Sequence, residues 1–303
     1  MNKEKLLFAI DLDGTLLSNS ATGEMHSKTE EQIKRAIKEG HVVCIITGRP
    51  WRSTEPIYNQ LGLNTIVGNY NGAHIHNPSD YSFIPYISYL NLNEIMYILG
   101  DPKIKSSISN LAIEGPGWVQ LEKMDEDLAA VFGFKDANKL KVGINFNKLP
   151  LKPTGIIFDT KKGLDVVAFS KYLKQRYGDL AEFSSWSKGE NMTPVFDITS
   201  VGATKSKVVS LLGRYYDIEV DRIFTFGDGY NDLPMFEAAG ISIAMKNSSQ
   251  EIKNAATIVT KNTNKEGGVG YYMEYLLDNL EKELERVSKI QKEKDNKINE
   301  KIT

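Results

Sequence analysis

The chain has 303 residues, of which 41% are hydrophobic and 25% are charged, and its formal net charge is −2. This composition is typical of a globular protein, and the length favours two domains over one. A net charge so close to zero argues against nucleic acid or an anionic membrane as a partner. The single cysteine excludes an internal disulfide, and no stretch has the pattern of a signal peptide or a membrane-spanning helix, so we expect a cytoplasmic protein.

Short apolar runs alternate with helical segments over the first 80 residues. The predicted strands are Leu6–Ile10, Val42–Ile46 and Thr65–Val67. Between the first two, Ser27 and Glu30 have the spacing of a capping box, which predicts the start of a helix, and Gly40 marks its end. Such alternation is typical of a doubly wound, Rossmann-like α/β fold with a parallel sheet.

The alternation is lost in the middle of the chain and returns after Gly202. The middle section has predicted strands at Lys141–Asn147, Gly155–Asp159 and Val195–Ile198 and a predicted helix at Lys162–Tyr177. After Gly202 the predicted helices are Lys205–Arg214, Asn231–Ala239 and Ser249–Ala255, and the predicted strands are Ile223–Phe226, Ile241–Ala244 and Thr257–Val259. We therefore expect a parallel-sheet core from residues 1–82 and 198–303, with an α+β domain inserted at 83–197. Residues 281–303 are nearly all charged or polar and are predicted to form a solvated helical tail.

Acidic residues follow two of the predicted strands. Asp11 and Asp13 come directly after Leu6–Ile10, and Asp228 and Asp232 come directly after Ile223–Phe226. Because sites in open parallel sheets form at the carboxyl ends of strands, we expect the four acids to converge. Clustered carboxylates ionise together only beside a cation, and a hard divalent ion such as Mg²⁺ prefers oxygen ligands. The alternative for Asp232 is an ordinary acid at a helix N-terminus.

Phosphate-binding groups are predicted at two further places. Thr47 and Gly48 end the second strand, where a hydroxyl and backbone N–H groups can hold phosphate oxygens. Lys205 opens a helix, and a lysine there can neutralise a phosphate as a compact charge. The alternatives are a plain loop start for Thr47 and Gly48 and an exposed surface lysine at 205, with Lys207 as a competitor for the same role.

The motifs resemble those of the haloacid dehalogenase superfamily, in the same chain order, and most closely its Cof-type sugar-phosphatase branch. The matching stretches are Asp11–Leu17 (DLDGTLL), Ile46–Pro50 (ITGRP), Asn71–Ala73 (NGA), Gly202–Lys205 (GATK), Gly227–Asp232 (GDGYND), Ala244–Asn247 (AMKN) and Asn264–Val269 (NKEGGV). Lys246 stands where the family usually has glycine. The resemblance covers residues 5–80 and 197–275, and it implies that the inserted section is the family's α/β cap domain.

The resemblance also implies a role for each matching residue. Asp11 would be the nucleophile and Asp13 the general acid and base. The Asp11 carboxylate, the Asp13 backbone carbonyl and Asp228 would bind Mg²⁺, while Asp232 would orient Lys205 or a metal-bound water. The implied phosphate-binding groups are the backbone of Leu12 and residues Thr47, Gly48, Lys205 and Asn231.

The predicted function is a magnesium-dependent phosphatase that hydrolyses a small phosphorylated metabolite, such as a sugar phosphate, through an aspartyl-phosphate intermediate. An aspartate at position 13 suits this reaction because it supplies an acid/base group for hydrolysis of the acyl phosphate. The alternatives are a phosphomutase or phosphotransferase that uses the same residues and a non-catalytic sensor of phosphorylated ligands. We expect a small phosphate ester as the partner, with no nucleic acid and no membrane, and a monomer or small homo-oligomer.

Several other residues have competing interpretations. Cys44 lies within an apolar run and is predicted to be a core residue. His74 and His76 share one face of a predicted strand, which indicates either a polar strand face or a pair of metal ligands. In the inserted section, Trp118, Trp186, Lys188 and Asn191 could close over a leaving group, although packing or solvent exposure is the alternative.

Overall fold

A computed structural model describes residues 5–149, 152–187, 193–287 and 289–290 of the protein. The labelled helices are α1 (Ser27–Lys38), α2 (Trp51–Leu61), α3 (Leu92–Leu99), α4 (Pro102–Ser107), α5 (Glu126–Phe132), α6 (Val166–Tyr177), α7 (Lys205–Tyr216), α8 (Leu233–Ala238), α9 (Gln250–Ala255) and α10 (Gly268–Asp278). Residues 280–287 are helical as well. None of the helices in the described ranges combines the length and hydropathy that crossing a membrane requires.

The strands are numbered in chain order. They are β1 (Leu7–Ile10), β2 (Leu17–Asn19), β3 (Glu24–Met25), β4 (Val42–Ile45), β5 (Val67–Asn69), β6 (His74–His76), β7 (Tyr86–Ile87), β8 (Ile108–Gly115), β9 (Trp118–Leu121), β10 (Lys139–Val142), β11 (Gly155–Thr160), β12 (Ala181–Ser187), β13 (Pro194–Ser200), β14 (Ile223–Gly227), β15 (Ile241–Ala244) and β16 (Ile258–Val259).

The chain divides into two compact units. The first unit contains Met1–Asn19, Glu24–Cys44 and Val209–Thr303, and the second contains Ser20–Gly23 and Ile45–Val208. The domain boundaries expected at 82/83 and 197/198 stay a prediction.

The first unit is built on a parallel sheet with the strand order β16-β15-β14-β1-β4. Leu7 pairs with Ile223 and Ile10 with Phe226, so β1 and β14 lie side by side and end together. The chain leaves β1 towards β4 on one side and later returns to β14 on the other. The parallel α/β core expected from the sequence is confirmed, and the acidic motifs follow the two strands at its topological switch point.

Helices α1 and α10 pack closely together in the first unit. A Cβ atom at Gly270 would lie 2.5 Å from backbone atoms of Lys28, so only glycine permits this approach. The Lys28 ammonium also pairs with the Glu274 carboxylate at 2.5 Å. The predicted capping role of Ser27 is wrong, because His26 is the N-cap residue and its Nδ1 accepts the Lys28 N–H at 3.1 Å.

The second unit contains a mostly antiparallel sheet with the order β10-β9-β8-β11-β13-β12, in which only β9 and β10 run parallel. Side chains of α3, α4 and α6 form an apolar cluster with alternate residues of this sheet, including Phe158 and Phe196. Side chains of α5 form a separate cluster with the strand residues that neighbour these in the sequence, including Ile157 and Val195. Because successive residues of a strand point to opposite faces, helices cover both faces of the sheet.

Several predicted boundaries are wrong in detail. The strand expected at Lys141–Asn147 is β10 (Lys139–Val142), and a 3₁₀ turn follows at Phe146–Lys148. Helix α6 begins four residues later than expected, because the Asp165 side chain accepts the Ala168 N–H at 3.0 Å and caps the helix there. The third strand is shifted to Val67–Asn69.

Two predictions extend beyond what the structure describes. Of the expected polar tail, residues 281–287 are helical, whereas 288 and 291–303 lie outside the described residues. Lys188 and Asn191 also lie outside them.

Candidate active site

The turn after β1 carries the first two predicted catalytic acids. Asp11 is 4% exposed, and its N–H donates to the Phe226 carbonyl at 3.0 Å. A tight helical turn follows at Leu12–Leu16, in which Asp13 is extended (ψ 123°) and Gly14 has a φ of +73°. The two carboxylates therefore leave one short turn with different burial, Asp11 buried and Asp13 half-buried.

The turn is in close contact with Asp228, which follows β14. A Cβ atom at Gly14 would lie only 2.1 Å from Asp228 Oδ2, so the glycine is required for both its φ and its space. The Thr15 hydroxyl donates to Asp228 Oδ1 at 3.2 Å. The motif after β1 and the motif after β14, more than 200 residues apart in the chain, thus form one cluster.

Asp232 organises the second acidic loop from within. Its Oδ2 accepts the N–H groups of Asp228 and Gly229, both at 2.9 Å, and the residue is fully buried. A 3₁₀ turn at Tyr230–Asp232 precedes α8, where the sequence had predicted a single helix from Asn231. Because backbone donors occupy one carboxylate oxygen, Asp232 fixes the position of Asp228.

The acids of the first unit fit a small divalent cation. Asp11, Asp228 and Asp232 each present a carboxylate oxygen, and these oxygens lie within 4.8 Å of one another. Hard oxygen ligands at the end of a buried strand pair are what Mg²⁺ prefers, and its charge offsets repulsion among the carboxylates. Asp13 lies on the same loop as Asp11, and Asn231 lies on the same loop as Asp228 and Asp232.

Thr47 and Gly48 lie on a loop of the second unit, directly after β4. The Thr47 N–H donates to the Gly68 carbonyl at 2.8 Å, and the Thr47 carbonyl accepts the Asn71 N–H at 2.9 Å. The Thr47 hydroxyl accepts the Arg49 N–H at 3.1 Å. The position of this loop is thus fixed by Gly68 in β5 and by Asn71 of the NGA motif that follows β5.

Lys205 is fully buried at the start of α7 in the second unit. Lys207, its competitor, instead donates to the Tyr86 hydroxyl at 2.6 Å and lies 3.8 Å from the centre of that ring. A buried ammonium requires a negative or polar partner, so the placement favours Lys205 over Lys207 for a charged role. Gly72 makes room for the helix start, because a Cβ there would lie 2.6 Å from the Thr204 carbonyl oxygen.

Asp197 is a buried acid near the Thr47 loop that the sequence analysis did not single out. Its Oδ1 accepts the Trp186 Nε1–H at 3.1 Å, and its Oδ2 lies 3.3 Å from the position of a Cβ atom on Gly48. The available signal was a carboxylate inside the otherwise apolar strand Val195–Ile198. Trp186 packs beside Phe132 and uses its N–H for Asp197.

The other residues considered in the sequence analysis pack against neighbouring side chains or backbone. Cys44 is buried in β4, as predicted. The rings of His74 and His76 stack at 4.1 Å, and Trp51 packs edge-on against His76. Burial lowers the pKa of His74 to about 4, and burial together with the neighbouring His74 lowers the pKa of His76 to about 3. Trp118 lies against the Gly115 backbone.

The fold and the acidic cluster define a class: an α/β protein with clustered carboxylates at the switch point of a parallel sheet. Residues 8–273 match the sequence profile of the haloacid dehalogenase-like hydrolases, and the chain belongs to this family.

Two relatives and one solved structure show which proteins of this family the chain is similar to. The chain is 59% identical over 278 residues to a Metamycoplasma hominis protein from the 3′ region of upp, whose name proposes a phosphatase, covering 90% of this chain and 99% of the relative. It is 33% identical over 273 residues to the 5-amino-6-(5-phospho-D-ribitylamino)uracil phosphatase YitU of Bacillus subtilis, covering 90% and 98%. A haloacid dehalogenase-like hydrolase structure from B. subtilis, 24% identical, superposes with a TM-score of 0.71 over 89% of this chain and 99% of that one. The protein is a phosphatase of this family, a phosphoric monoester hydrolase.

Proposed function

We propose that the protein is a magnesium-dependent phosphatase that hydrolyses a small phosphorylated metabolite through an aspartyl-phosphate at Asp11. The observation that carries the proposal is the cluster of Asp11, Asp228 and Asp232 at the ends of β1 and β14. Carboxylates held this close repel one another, and a bound cation would offset that repulsion. The first of them is also the residue that the family resemblance assigns as the nucleophile.

In this proposal the Asp11 carboxylate, the Asp13 carbonyl and Asp228 hold Mg²⁺, and Asp232 keeps Asp228 in place. The bound ion would offset the negative charge of the phosphoryl group and of the acids around it. The hydrogen bonds from Thr15 to Asp228 and from the Asp228 N–H to Asp232 support a preorganised position for this ligand.

The reaction has two steps. An Asp11 oxygen attacks phosphorus, the bond from phosphorus to the ester oxygen breaks, and the Asp13 carboxylic acid gives its proton to that leaving oxygen. Asp13, now a carboxylate, takes a proton from a water molecule whose oxygen attacks phosphorus. The bond to Asp11 then breaks, inorganic phosphate leaves, and both aspartates are regenerated.

The phosphoryl oxygens are held in the proposal by the backbone of Leu12, by Thr47 and Gly48, by Lys205 and by Asn231. Supporting observations are the fixed loop at Thr47 and the burial of Lys205, since neither arrangement is expected of an ordinary loop or a surface lysine.

A phosphorylated sugar or sugar-derived metabolite is the proposed substrate. The relative YitU is named for a compound that carries its phosphate on a ribityl chain, and the sequence motifs resemble a sugar-phosphatase branch. We further propose a cytoplasmic location, a monomer or small homo-oligomer, and no nucleic-acid or membrane partner.

Hydrolysis of p-nitrophenyl phosphate with and without Mg²⁺ tests the proposal. We expect turnover that depends on Mg²⁺ and that falls by about 10⁴-fold or more in Asp11→Asn. The control Cys44→Ala changes a buried residue on the adjacent strand and should keep kcat within about twofold of the parent. Full activity of Asp11→Asn would exclude the covalent mechanism, and isomerised product without phosphate release would favour a mutase.

The metal can be tested without turnover. Mg²⁺ should raise the thermal unfolding temperature of the parent protein, because a ligand that binds only the folded state stabilises it. Asp228→Asn should abolish this shift while the metal-free variant remains at least as stable as the parent. An equal Mg²⁺ shift in both proteins would place the cation elsewhere.

A further inference from the structure

Two asparagines in the first unit hold the turn that carries Asp13. Asn247 lies on the loop after β15, and its Nδ2 donates to the Gly14 carbonyl at 2.8 Å. Asn264 lies on the loop after β16, and its Nδ2 donates to the Leu17 carbonyl at 2.8 Å. The second half of the turn Leu12–Leu16 is therefore held at Gly14 and at Leu17 from loops remote in sequence.

The two asparagines are also joined to each other. Asn247 Oδ1 accepts the backbone N–H of Asn264 at 3.0 Å. A backbone N–H can only donate and a carbonyl can only accept, so the orientation of the Asn247 amide is fixed by its two partners. We call Asn247 and Asn264 the amide clamp.

The clamp has a rigid base. The Met245 N–H donates to the Gly227 carbonyl at 3.0 Å, which ties the Asn247 loop to the end of β14. The Lys246 N–H donates to Thr260 Oγ1 at 2.9 Å, and that hydroxyl in turn donates to the Asn262 carbonyl at 2.7 Å. Bonds thus connect the end of β14 through the loops of both asparagines to the turn after β1.

The sheet order makes this connection unusual. β15 and β16 lie on the far side of β14 from β1, so their loops must reach past the Asp228 loop to contact Gly14 and Leu17. An exposed hydrogen bond between an amide and a carbonyl adds little to the free energy of unfolding. Its effect here is to hold Gly14 and Leu17 in position. The bonded carbonyl belongs to the peptide between Gly14 and Thr15, one residue after Asp13, so the bond limits how far the adjoining Asp13 backbone and its side chain can move.

We propose that Asn247 and Asn264 are positioning residues that hold the Asp13 carboxyl in line for proton transfer to the leaving group; this rests on the proposed phosphatase function. Neither residue needs to touch substrate for this role. A proton donor displaced by about 1 Å can lose a factor on the order of 100 in rate, which sets the scale of the effect.

The test is kcat/KM of Asn247→Ala and Asn264→Ala with two aryl esters and Mg²⁺. The phenolate leaving group of phenyl phosphate is a stronger base than that of p-nitrophenyl phosphate and depends more on a proton from Asp13. We expect kcat/KM to fall by about 10- to 100-fold with phenyl phosphate and markedly less with p-nitrophenyl phosphate, with KM changed less than about threefold. A purely structural role would lower both rates equally, and that result would overturn the proposal.

Lys246→Ala is the matched control. The Lys246 side chain is about half exposed (52%) and lies 3.6 Å from Glu266, so its removal leaves both clamp residues in place. Both esters should be hydrolysed within about twofold of the parent rate. An equal effect of Lys246→Ala would contradict a specific role for the asparagines.

Amide hydrogen exchange gives a readout that does not require activity. The Leu16 N–H donates to the Asp11 carbonyl at 3.2 Å, and its protection reports the closed turn. Asn247→Ala and Asn264→Ala should each speed exchange in residues 12–17 while β15 keeps its protection. If the parent hydrolyses neither ester, the proposed function fails while exchange still tests the clamp. Unchanged exchange, or faster exchange with unchanged phenyl phosphate kinetics, overturns the positioning role.

Discussion

Buried charge is arranged in opposite ways in the two units. In the first, the carboxylates of Asp11, Asp228 and Asp232 gather at the ends of neighbouring strands. In the second, the Arg52 guanidinium forms an ion pair with Glu114, and both side chains are almost completely buried. Like charges brought together make ionisation of each carboxylate less favourable and so favour the binding of a cation, whereas the two members of an opposite pair offset each other's charge. The first arrangement therefore indicates a binding site and the second indicates structure.

The Arg52 pair is supported on several sides. Arg52 Nε donates to the Gly133 carbonyl at 3.0 Å, and the guanidinium lies 5.9 Å from the centre of the Phe134 ring. Burial raises the pKa of Glu114, while the Arg52 charge counteracts that rise. The pair joins α2 to β8 and to the end of α5, across the predicted boundary between core and inserted domain.

The largest expected effect is from breaking this pair. Arg52→Met leaves Glu114 buried without its cation and should lower the free energy of unfolding by about 3–5 kcal/mol at pH 7. The double variant Arg52→Met/Glu114→Leu should recover most of that loss, because a well-packed apolar pair has no charge to desolvate. Urea unfolding of the parent and both variants measures the difference.

The pH dependence sharpens this test. Without Arg52 the folded-state pKa of Glu114 lies further above its unfolded value, so the folded protein retains a proton that the unfolded chain releases. Stability is then fully present below the unfolded pKa near 4.5 and falls as the pH rises from there to the raised folded-state pKa. The loss in Arg52→Met should therefore be smaller at pH 5 than at pH 7. A pH-independent loss would show that packing, and not charge, stabilises this contact.

Gly14→Ala tests the acidic cluster of the first unit. A Cβ at position 14 would overlap the Asp228 carboxylate, so turnover of p-nitrophenyl phosphate should fall by about 100-fold or more. Gly40→Ala is the matched control in the same unit, since Gly40 has a φ of +90° and no atom within 4 Å of its Cβ position. Gly40→Ala should lower the free energy of unfolding by about 1–2 kcal/mol, from backbone strain alone, and should retain activity. Equal loss of activity in both variants would mean that strain alone explains Gly14.

The acidic cluster could be predicted from sequence because its signals are local. Apolar runs end directly at Asp11 and at Gly227-Asp228, and strand direction places both ends on one edge of the sheet. The parallel core and the buried Cys44 were predicted for the same reason. The specific roles of Thr47, Lys205 and Asn231 remain predictions.

The features that were missed depend on distant contacts. Asp197 was visible only as a carboxylate inside an otherwise apolar predicted strand, and the packing of the second unit brings it close to Gly48. The amide clamp joins residues more than 200 positions apart, although its two motifs had been noticed. His26 replaces Ser27 as the N-cap because a ring nitrogen accepts the backbone N–H there, which a search for small polar caps does not consider.

The smallest expected effect concerns a buried group that becomes charged only in acid. His76 Nε2 lies 3.0 Å from Asn69 Oδ1, and the Asn69 amide nitrogen donates to the Arg49 carbonyl, so His76 carries its proton on Nε2. The pKa values of His74 and His76, about 4 and 3, lie below the unfolded value of 6.5. Unfolding therefore takes up protons, and stability present at pH 7 is lost as the pH falls below about 6.5. Allowing for partial exposure, we expect a loss of about 2 kcal/mol between pH 7 and pH 5.

His74→Phe separates this contribution from other acid effects. It removes one of the two stacked rings that would acquire charge, so the loss between pH 7 and pH 5 should be about half that of the parent in urea unfolding. An unchanged pH slope would mean that the pair is hydrated or displaced before it titrates. The histidines would then behave like exposed groups, unlike the Arg52 and Glu114 pair, which stays buried.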